Sequence, residues 1–333
     1  MVFVDDLELA YRSHRSGVPV IHRRSTERLE RLQARATHQP LRIAHRGARA
    51  YAPENTIEAF SKALDLGSDM VEFDVHVSRD GHPVVVHDDT LIRCSDAVKR
   101  FAGLPSYFVS DFSLAELQSL DAGRWYVDQL TLPMHERQPY LQVLKPEELA
   151  RYVSDDELRQ YGSGSVRIPS LAQTLAWLAE RRLLANIELK TIPRLYPGIA
   201  EKVIAQIRHY GLDERVMISS FDHEQLRIVR ALDARIATAV LTSDRLSALT
   251  AYLDAIDADA FHPGCYDAFD TLGFGSVERR LQLANVEEVL ATGRWVNVWT
   301  CNDDAQIEAL IRAGVSGIMT DYPNRLARPE TFA

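Results

Sequence analysis

Short hydrophobic runs rich in β-branched residues alternate along this chain with longer stretches in which apolar residues recur at every third or fourth position. From residue 41 onward the short runs predict β-strands, and the longer stretches predict amphipathic helices. The predicted strands cover residues 41–45, 70–77, 83–87, 184–190, 216–220, 236–240, 259–262, 295–300 and 317–320. The predicted helices between them include residues 56–66, 171–181, 199–210, 224–232 and 303–313. Strand and helix therefore alternate over most of the chain.

This alternation predicts an α/β fold with a parallel sheet, because each strand–helix–strand unit returns the chain to the same end of the sheet. About eight such units in roughly 250 to 300 residues match the size of a closed (β/α)8 TIM barrel. An open doubly wound sheet is the alternative. No G-x-G-x-x-G turn follows a predicted strand, but this excludes only the dinucleotide-binding kind of open sheet.

The first 40 residues fall outside the alternation and form a predicted N-terminal helical extension. A basic stretch at 25–36 places Leu29, Leu32 and Ala36 on one helical face, with arginines around the rest. We expect this helix to pack on the barrel, which would occupy residues 41–327. Contact with a membrane surface or a second copy of the chain is the alternative.

A small insertion at about residues 125–167 follows an early strand and also lacks the pattern. It contains several prolines and a Gly-Ser-Gly-Ser joint. Because barrel enzymes build their sites from the loops that follow strands, the insertion is a candidate lid. The candidate lid carries Trp125, Tyr126, Tyr140 and Tyr161.

Composition and charge narrow the possible partners. The 333 residues are 46% hydrophobic and 26% charged, which is typical of a soluble globular protein. A net charge of -9 argues against a nucleic-acid partner, because such a surface needs a positive field. No apolar run approaches the roughly 20 residues of a membrane span, and the N-terminus is acidic where a signal peptide would be basic, so we expect a cytoplasmic protein. The composition indicates no oligomeric state.

The three cysteines, Cys94, Cys265 and Cys301, are widely separated and odd in number. They therefore suggest neither a disulfide framework nor a zinc site built from cysteines. We expect reduced thiols that pack as small apolar side chains.

The predicted strand at 70–77 carries two carboxylates in an otherwise apolar run. Glu72 and Asp74 alternate with Phe73 and Val75, so both carboxylates share one face of the strand. In a barrel covered by helices that face points inward, where two carboxylates repel unless a positive charge lies between them. Oxygen ligands suit a hard divalent cation such as Mg2+ or Ca2+, with Mn2+ also compatible. The strand is equally consistent with an ion-paired strand end.

The predicted strand at 184–190 ends in a similar alternation, in which Glu188 and Lys190 share the inward face. Glu188 could complete a site of three carboxylates. Lys190 could bind a phosphate or the carboxylates themselves. A surface pair of Glu188 with Lys190 is the alternative, which a closed barrel disfavours.

Two further predicted strands lead into histidines, one at His45-Arg46 and the other at His87-Asp88. Barrel strands deliver side chains to the catalytic face at these positions. A single histidine at a strand end is typical of a structural role, but two beside carboxylates and an arginine favour a general base and a general acid. Arg46 is a candidate phosphate ligand, because its planar guanidinium offers a fork of donors.

These residues belong to a series of ordered motifs that strongly resembles the glycerophosphodiester phosphodiesterases over roughly residues 41–327. The matching motifs in the first half of the chain are His45-Arg46-Gly47, Pro53-Glu54-Asn55-Thr56, Ala59-Phe60, Glu72-Phe73-Asp74-Val75, Asp80-Gly81 and His87-Asp88. Those in the second half are Ile168-Pro169-Ser170-Leu171, Glu188-Leu189-Lys190, Ser220-Phe221, Val298-Trp299-Thr300-Cys301-Asn302 and Gly317-Ile318-Met319-Thr320-Asp321-Tyr322-Pro323. Several spaced motifs in order are specific where any one would be weak.

The resemblance implies a (β/α)8 barrel that hydrolyses a phosphodiester with one divalent cation. By position, the residues that match the family's functional residues are Glu72, Asp74 and Glu188 for the metal, His45 and His87 for the acid and base, Arg46 for the phosphate, and Lys190 and Trp299 for the substrate pocket. Glu54 also lies in a matching motif, and it either contacts the substrate or anchors its loop. Asn55 or Thr56 is expected to cap the next helix.

The implied reaction is hydrolysis of a glycerophosphodiester to glycerol 3-phosphate and an alcohol such as choline, ethanolamine or glycerol, within lipid and glycerol metabolism. The nucleophile is either the neighbouring glycerol hydroxyl, which would give a cyclic intermediate, or water. A lysophospholipase D-like phosphodiesterase is the alternative among enzymes. A non-catalytic phosphate-binding barrel is the alternative from another class.

Overall fold

A computed structural model describes residues 20–191, 193–243, 246–264 and 284–327 of the chain. Residues 1–19 of the predicted extension, and Cys265, lie outside the described residues. The strands in these ranges are β1 (Leu41–Ala44), β2 (Met70–Val77), β3 (Pro83–Val85), β4 (Leu184–Leu189), β5 (Val216–Ser220), β6 (Ala237–Thr242), β7 (Ala260–Pro263), β8 (Trp295–Val298) and β9 (Gly317–Thr320).

The helices in the same ranges are α1 (Val20–Gln33), α2 (Ile57–Asp65), α3 (Ala97–Arg100), α4 (Leu114–Ser119), α5 (Arg124–Thr131), α6 (Pro146–Tyr152), α7 (Asp155–Tyr161), α8 (Leu171–Ala179), α9 (Ile199–His209), α10 (His223–Leu232), α11 (Leu249–Ala255), α12 (Ala284–Leu290) and α13 (Asp304–Arg312). Short 3-10 turns cover Val109–Asp111, Met134–Glu136, Pro139–Val143 and Pro323–Leu326.

Eight of the strands form a closed parallel barrel. β1 pairs with both β2 and β9, and β4, β5, β6, β7 and β8 complete the ring between them. The predicted (β/α)8 TIM barrel is therefore confirmed. Because the pairing of β1 with β2 closes the sheet, the open doubly wound alternative is wrong.

β3 differs from the prediction of a further parallel strand. It pairs antiparallel with β2, with Val75 opposite Val85, and it stays outside the ring. The connection of residues 78–82 makes this necessary, because a parallel crossover needs about a dozen residues or more. The hairpin nevertheless brings His87 close to β2, since the Val86 amide donates to the carbonyl of Asp74.

Inside the barrel, a layer of apolar side chains fills the end at which the strands begin. Its buried members are Leu41, Ile43, Met70, Leu184, Met217, Ala237, Ala239, Ala260 and Met319. Leu29 and Leu32 of α1 pack against this layer and are themselves buried. Helix α1 therefore covers the base of the barrel, opposite the end where the strands finish.

The basic face of α1 pairs with carboxylates of the same chain. The Arg28 guanidinium donates to Asp259 at 2.7 Å, while Arg31 and Arg35 lie 3.3 and 3.6 Å from the Glu214 carboxylate. These pairs support packing on the barrel rather than contact with a membrane or a second copy. Across the described ranges, no helix has both the length and the apolar character needed to cross a membrane. The division into an extension at 1–40 and a barrel at 41–327 stays a prediction.

The predicted insertion folds into short helices between β3 and β4. Three of its four predicted lid aromatics, Tyr126, Tyr140 and Tyr161, are buried, and Trp125 is partly buried. The Tyr126 hydroxyl donates to the carbonyl of Ala50 at 2.8 Å. These rings therefore pack the insertion onto the barrel, and its role as a lid stays a prediction.

Candidate active site

Three carboxylates from two neighbouring strands meet inside the barrel. β2 carries Glu72 and Asp74, and the register of β2 with β4 places Asp74 opposite Glu188. One oxygen from each carboxylate lies within 4.8 Å of the others, and all three residues are buried. The structure therefore brings together the trio that the alternating patterns predicted.

The charge of this trio fits a divalent cation. Burial raises the pKa of Glu72 well above its usual range, and the neighbouring Asp74 and Glu188 raise it further. Burial also raises the pKa of Glu188, against the effect of Lys190. Three oxygen donors whose negative charges repel one another are the ligands that a hard cation such as Mg2+ or Ca2+ prefers. These residues could hold one such ion.

Lys190 lies against two of the three carboxylates. Its ammonium is 2.6 Å from Glu188 and 3.1 Å from Asp74. Although burial opposes this charge, the two carboxylates raise the pKa of Lys190 above its ordinary value. The side chains of Glu188 and Lys190 are 10% and 13% exposed, so the surface-pair alternative is wrong.

Each of the two candidate histidines is held by a carboxylate. His45 Nδ1 lies 2.8 Å from Asp321 Oδ1, and His87 Nδ1 lies 2.7 Å from Asp88 Oδ1. A carboxylate partner places the proton of a neutral imidazole on Nδ1 and leaves Nε2 as the acceptor. The geometry therefore gives both rings the same tautomer.

The surroundings of both histidines favour the neutral form. Burial, followed by Arg49 and Arg46, lowers the pKa of His45 to about 4, against the effect of Asp321. Burial and then Arg46 lower the pKa of His87 to about 3. At neutral pH both rings can accept a proton at Nε2. A bound anion beside either ring would raise its pKa and let it donate a proton.

Asp321 is a site residue that the sequence analysis quoted in a motif but gave no role. It follows β9 directly, it is fully buried, and it accepts hydrogen bonds from Arg49 and Asn302 as well as His45. The available signal was its position, because a charged residue after a barrel strand lies at the same end as His45 after β1.

Glu54 contacts arginines in this structure. Its carboxylate accepts from Arg46 at 2.9 Å and from two nitrogens of Arg93 at 2.7 and 2.9 Å, while Arg49 lies 3.6 Å away. Burial opposes ionisation, but Arg46 and Arg93 hold the pKa of Glu54 well below its usual range. The side chain is 2% exposed. Of the two roles expected for Glu54, the contacts support the anchoring one.

The residues around Glu54 orient the site. Thr56 caps α2, because its hydroxyl accepts from the amide of Ala59, whereas the Asn55 amide donates to Asp74 at 2.9 Å. Arg46 adopts a left-handed backbone with φ of 55°, followed by Gly47 at 77°. A Cβ on Gly47 would lie 2.7 Å from Ala59, so only glycine fits there.

Trp299 forms an aromatic corner with Phe221 at the end where the strands finish. The ring centroids are 5.5 Å apart and the planes are at 88°. The Trp299 indole N–H donates to the carbonyl of His262 at 2.7 Å, which orients the ring. Sequence reasoning named Trp299 and gave Phe221 no role.

Comparisons with known proteins agree with this geometry. Residues 45–325 match the sequence model of the Glycerophosphoryl diester phosphodiesterase family. The chain is 32% identical over 284 residues to the glycerophosphodiester phosphodiesterase of Caldanaerobacter subterraneus subsp. tengcongensis, covering 85% of this chain and 95% of that protein. It is 31% identical over 287 residues to the enzyme of the same name from Bacillus altitudinis, covering 86% and 96%.

One solved structure adds a bound product. An Oleispira antarctica phosphodiesterase in complex with the product sn-glycerol-3-phosphate is 26% identical, with a TM-score of 0.63. The match covers 86% of this chain and 95% of that one.

Proposed function

We propose that this chain, which belongs to the Glycerophosphoryl diester phosphodiesterase family, hydrolyses glycerophosphodiesters to glycerol 3-phosphate and an alcohol with the help of one divalent cation. As a family member it is a phosphoric diester hydrolase. The observation that carries the proposal is the buried trio of Glu72, Asp74 and Glu188 at the strand ends that also present two carboxylate-bound histidines.

Glu72, Asp74 and Glu188 would hold the cation. When bound, a Mg2+, Ca2+ or Mn2+ ion supplies Lewis-acid stabilisation of the negative charge on the phosphodiester. The cationic side chains Arg46 and Lys190 act on the same charge. Arg46 offers planar paired donors and Lys190 a compact ammonium, so together they orient the phosphate and offset its charge in a buried site.

His45 and His87 divide the proton transfers. One neutral imidazole accepts the proton of the attacking hydroxyl at Nε2, and the other, protonated beside the anionic substrate, gives a proton to the leaving alcohol. Asp321 and Asp88 keep each ring in the required tautomer throughout. The attacking hydroxyl belongs to water or to the neighbouring glycerol carbon. In the second route the alcohol leaves from a cyclic phosphate, which water then opens to glycerol 3-phosphate, and the same two rings exchange the protons in both steps.

Trp299 and Phe221 complete the proposed substrate pocket. Their perpendicular rings offer apolar faces at the catalytic end of the barrel, which suits the carbon side of a glycerol group. A small-molecule diester is therefore the proposed partner. A cytoplasmic location stays a prediction.

The test is release of glycerol 3-phosphate from glycerophosphocholine by protein stripped with EDTA, after separate addition of Mg2+, Ca2+ and Mn2+. We expect at least one cation to restore turnover, and His45→Ala or His87→Ala to remove it. As a control, each variant should have the same thermal unfolding midpoint as wild type, which shows that a loss of activity is not a loss of folding. Near-normal activity in either variant would overturn the acid–base assignment.

A second arm of the assay uses lysophosphatidylcholine. Faster turnover of this lipid than of the deacylated diester would replace the proposal with the lysophospholipase D-like alternative. Binding that depends on metal, with no turnover on any diester, would indicate a non-catalytic barrel.

A further inference from the structure

Two arginines behind the candidate histidines form a connected framework that the proposed chemistry does not use directly. Arg93 donates from Nε and Nη2 to the two oxygens of Asp88, at 2.7 and 2.8 Å. Asp88 in turn holds Nδ1 of His87. The guanidinium therefore fixes both oxygens of the carboxylate that orients this imidazole, in the paired geometry that only arginine provides.

Arg49 stands in the same relation to His45. Its Nε and Nη2 atoms donate to the two oxygens of Asp321, the second at 3.0 Å, and Asp321 holds Nδ1 of His45. The two histidines therefore have matching supports, although Arg49 and Arg93 come from different loops.

Glu54 joins the two supports. Its carboxylate binds Arg93 through two nitrogens, lies 3.6 Å from Arg49 and also accepts from Arg46. A displacement of the Arg93 or Arg49 guanidinium would therefore move Glu54. Through Glu54 it would also move Arg46, the candidate phosphate ligand.

The insertion holds the outer side of both arginines. Gln138 accepts from Arg93 at 3.1 Å, and the Tyr140 ring lies 4.1 Å from the guanidinium carbon of Arg49. These contacts place the insertion against both arginines.

We propose that Arg49 and Arg93 are positioning residues of the reaction, each fixing the carboxylate that orients one histidine, and that Glu54 joins them into one unit. The proposal rests on the proposed hydrolysis. Asp88 is 26% exposed and could be hydrated without Arg93, so its contact with Arg93 is not needed to neutralise a fully buried charge. Glu54 and Asp321 are 2% and 0% exposed, so the arginines also neutralise these two carboxylates.

The first test replaces each arginine by lysine, whose ammonium group lacks the planar pair of donors of a guanidinium. Arg93→Lys and Arg49→Lys keep the charge but cannot bind two oxygens of one carboxylate and Glu54 together. We expect both variants to fold and to lose about 10- to 100-fold in kcat, the range typical of residues that orient a catalytic group. Turnover within twofold of wild type in both would overturn the proposal.

Arg230→Lys is the matched control. Arg230 also bridges two carboxylates, Asp257 and Asp259, and its side chain is 13% exposed, close to the 12% of Arg49, but it lies at the base of the barrel. We expect its kcat to stay at the wild-type value even where its thermal midpoint falls. An equal loss of kcat in this control would show that the effect is general destabilisation.

The second test asks whether Arg93 acts through Asp88. A double-mutant cycle compares Arg93→Ala, Asp88→Asn and the variant with both substitutions. If Arg93 acts through Asp88, the double variant should lose no more kcat than the single variant with the larger loss. Guanidinium ion at millimolar concentration should partly restore Arg93→Ala and should leave Asp88→Asn unchanged. Losses that multiply, with no rescue, would overturn the proposal. An inactive wild type would instead count against the proposed function.

Discussion

Burial acts in opposite directions on the acids and bases inside this barrel. It raises the pKa of Glu72 and lowers the pKa values of His45, His87 and His262, because the charged form is disfavoured in each case. At the proposed site, neighbouring arginines and carboxylates modify this effect. At His262 the lowered pKa has burial as its cause, so this residue allows the effect of burial on a histidine to be measured.

His262 is expected to make the protein less stable in acid. It is fully buried on β7, its Nε2 lies 2.9 Å from the Asn297 amide, and burial lowers its pKa to about 3. An unfolded histidine titrates near 6.5, so this contribution is complete above that pH and is lost as the pH falls toward 3. Between pH 7.5 and 5 the loss is about 2 kcal/mol.

The measurement is urea unfolding of wild type and His262→Gln at pH 7.5 and pH 5. The variant should lose about 2 kcal/mol less than wild type on acidification. His135→Gln, at a histidine that is 82% exposed, is the control and should follow wild type. Identical pH dependence in wild type and His262→Gln would contradict the prediction.

Among the elements, α1 covers the base of the barrel. Leu29 and Leu32 of α1 pack against the layer of apolar side chains at the base of the barrel. Arg28 of the same helix donates to Asp259, which precedes β7. Of the apolar stripe predicted from the sequence, Leu29 and Leu32 are buried, whereas Ala36 lies beyond the end of α1 and is partly buried.

Leu32→Ala is expected to destabilise the fold strongly. Leu32 is 1% exposed, and removing its side chain leaves a cavity against the barrel layer, at a typical cost of about 2 to 5 kcal/mol. Glu30→Ala on the exposed side of the same helix should change stability by no more than about 0.5 kcal/mol. Equal urea midpoints for the two variants would show that α1 does not cover the base in solution.

For the whole molecule, the candidate metal site should link stability to cation concentration. A cation that binds the folded trio stabilises it by mass action, by about 2.7 kcal/mol at 100 times Kd. In EDTA, Glu72→Gln should be at least as stable as wild type, because a neutral amide replaces a side chain whose charged form is disfavoured by burial and by the neighbouring Asp74 and Glu188. When a cation is added, Glu72→Gln should gain much less stability than wild type.

Thermal unfolding with and without Mg2+, Ca2+ or Mn2+ measures this link without an activity assay. Glu136→Gln, at a carboxylate 54% exposed on the insertion, is the control and should respond like wild type. A wild-type midpoint that no cation raises would contradict the predicted metal site.

The sequence by itself determined the alternation of strand and helix and the pairs of charged residues that share a strand face. Both follow from local periodicity, because a period of two puts Glu72 with Asp74 and Glu188 with Lys190 on the same face of a strand. Only the pairing of β1 with β2, which closes the barrel, made those faces point inward. The ordered motifs then pointed to the family. Such features need only neighbouring residues, so a linear pattern contains them.

Tertiary structure alone decided which side chains support that chemistry. Asp321 meets His45 across 276 residues, a contact set by the pairing of β9 with β1 and visible in no local pattern. The antiparallel pairing of β3 with β2 likewise depends on the length of the loop between them. The three arginines around Glu54 depend on how the loops and the insertion pack. Buried ion pairs form wherever the closed barrel brings charges within a few ångströms, and only the register of distant strands determines those places.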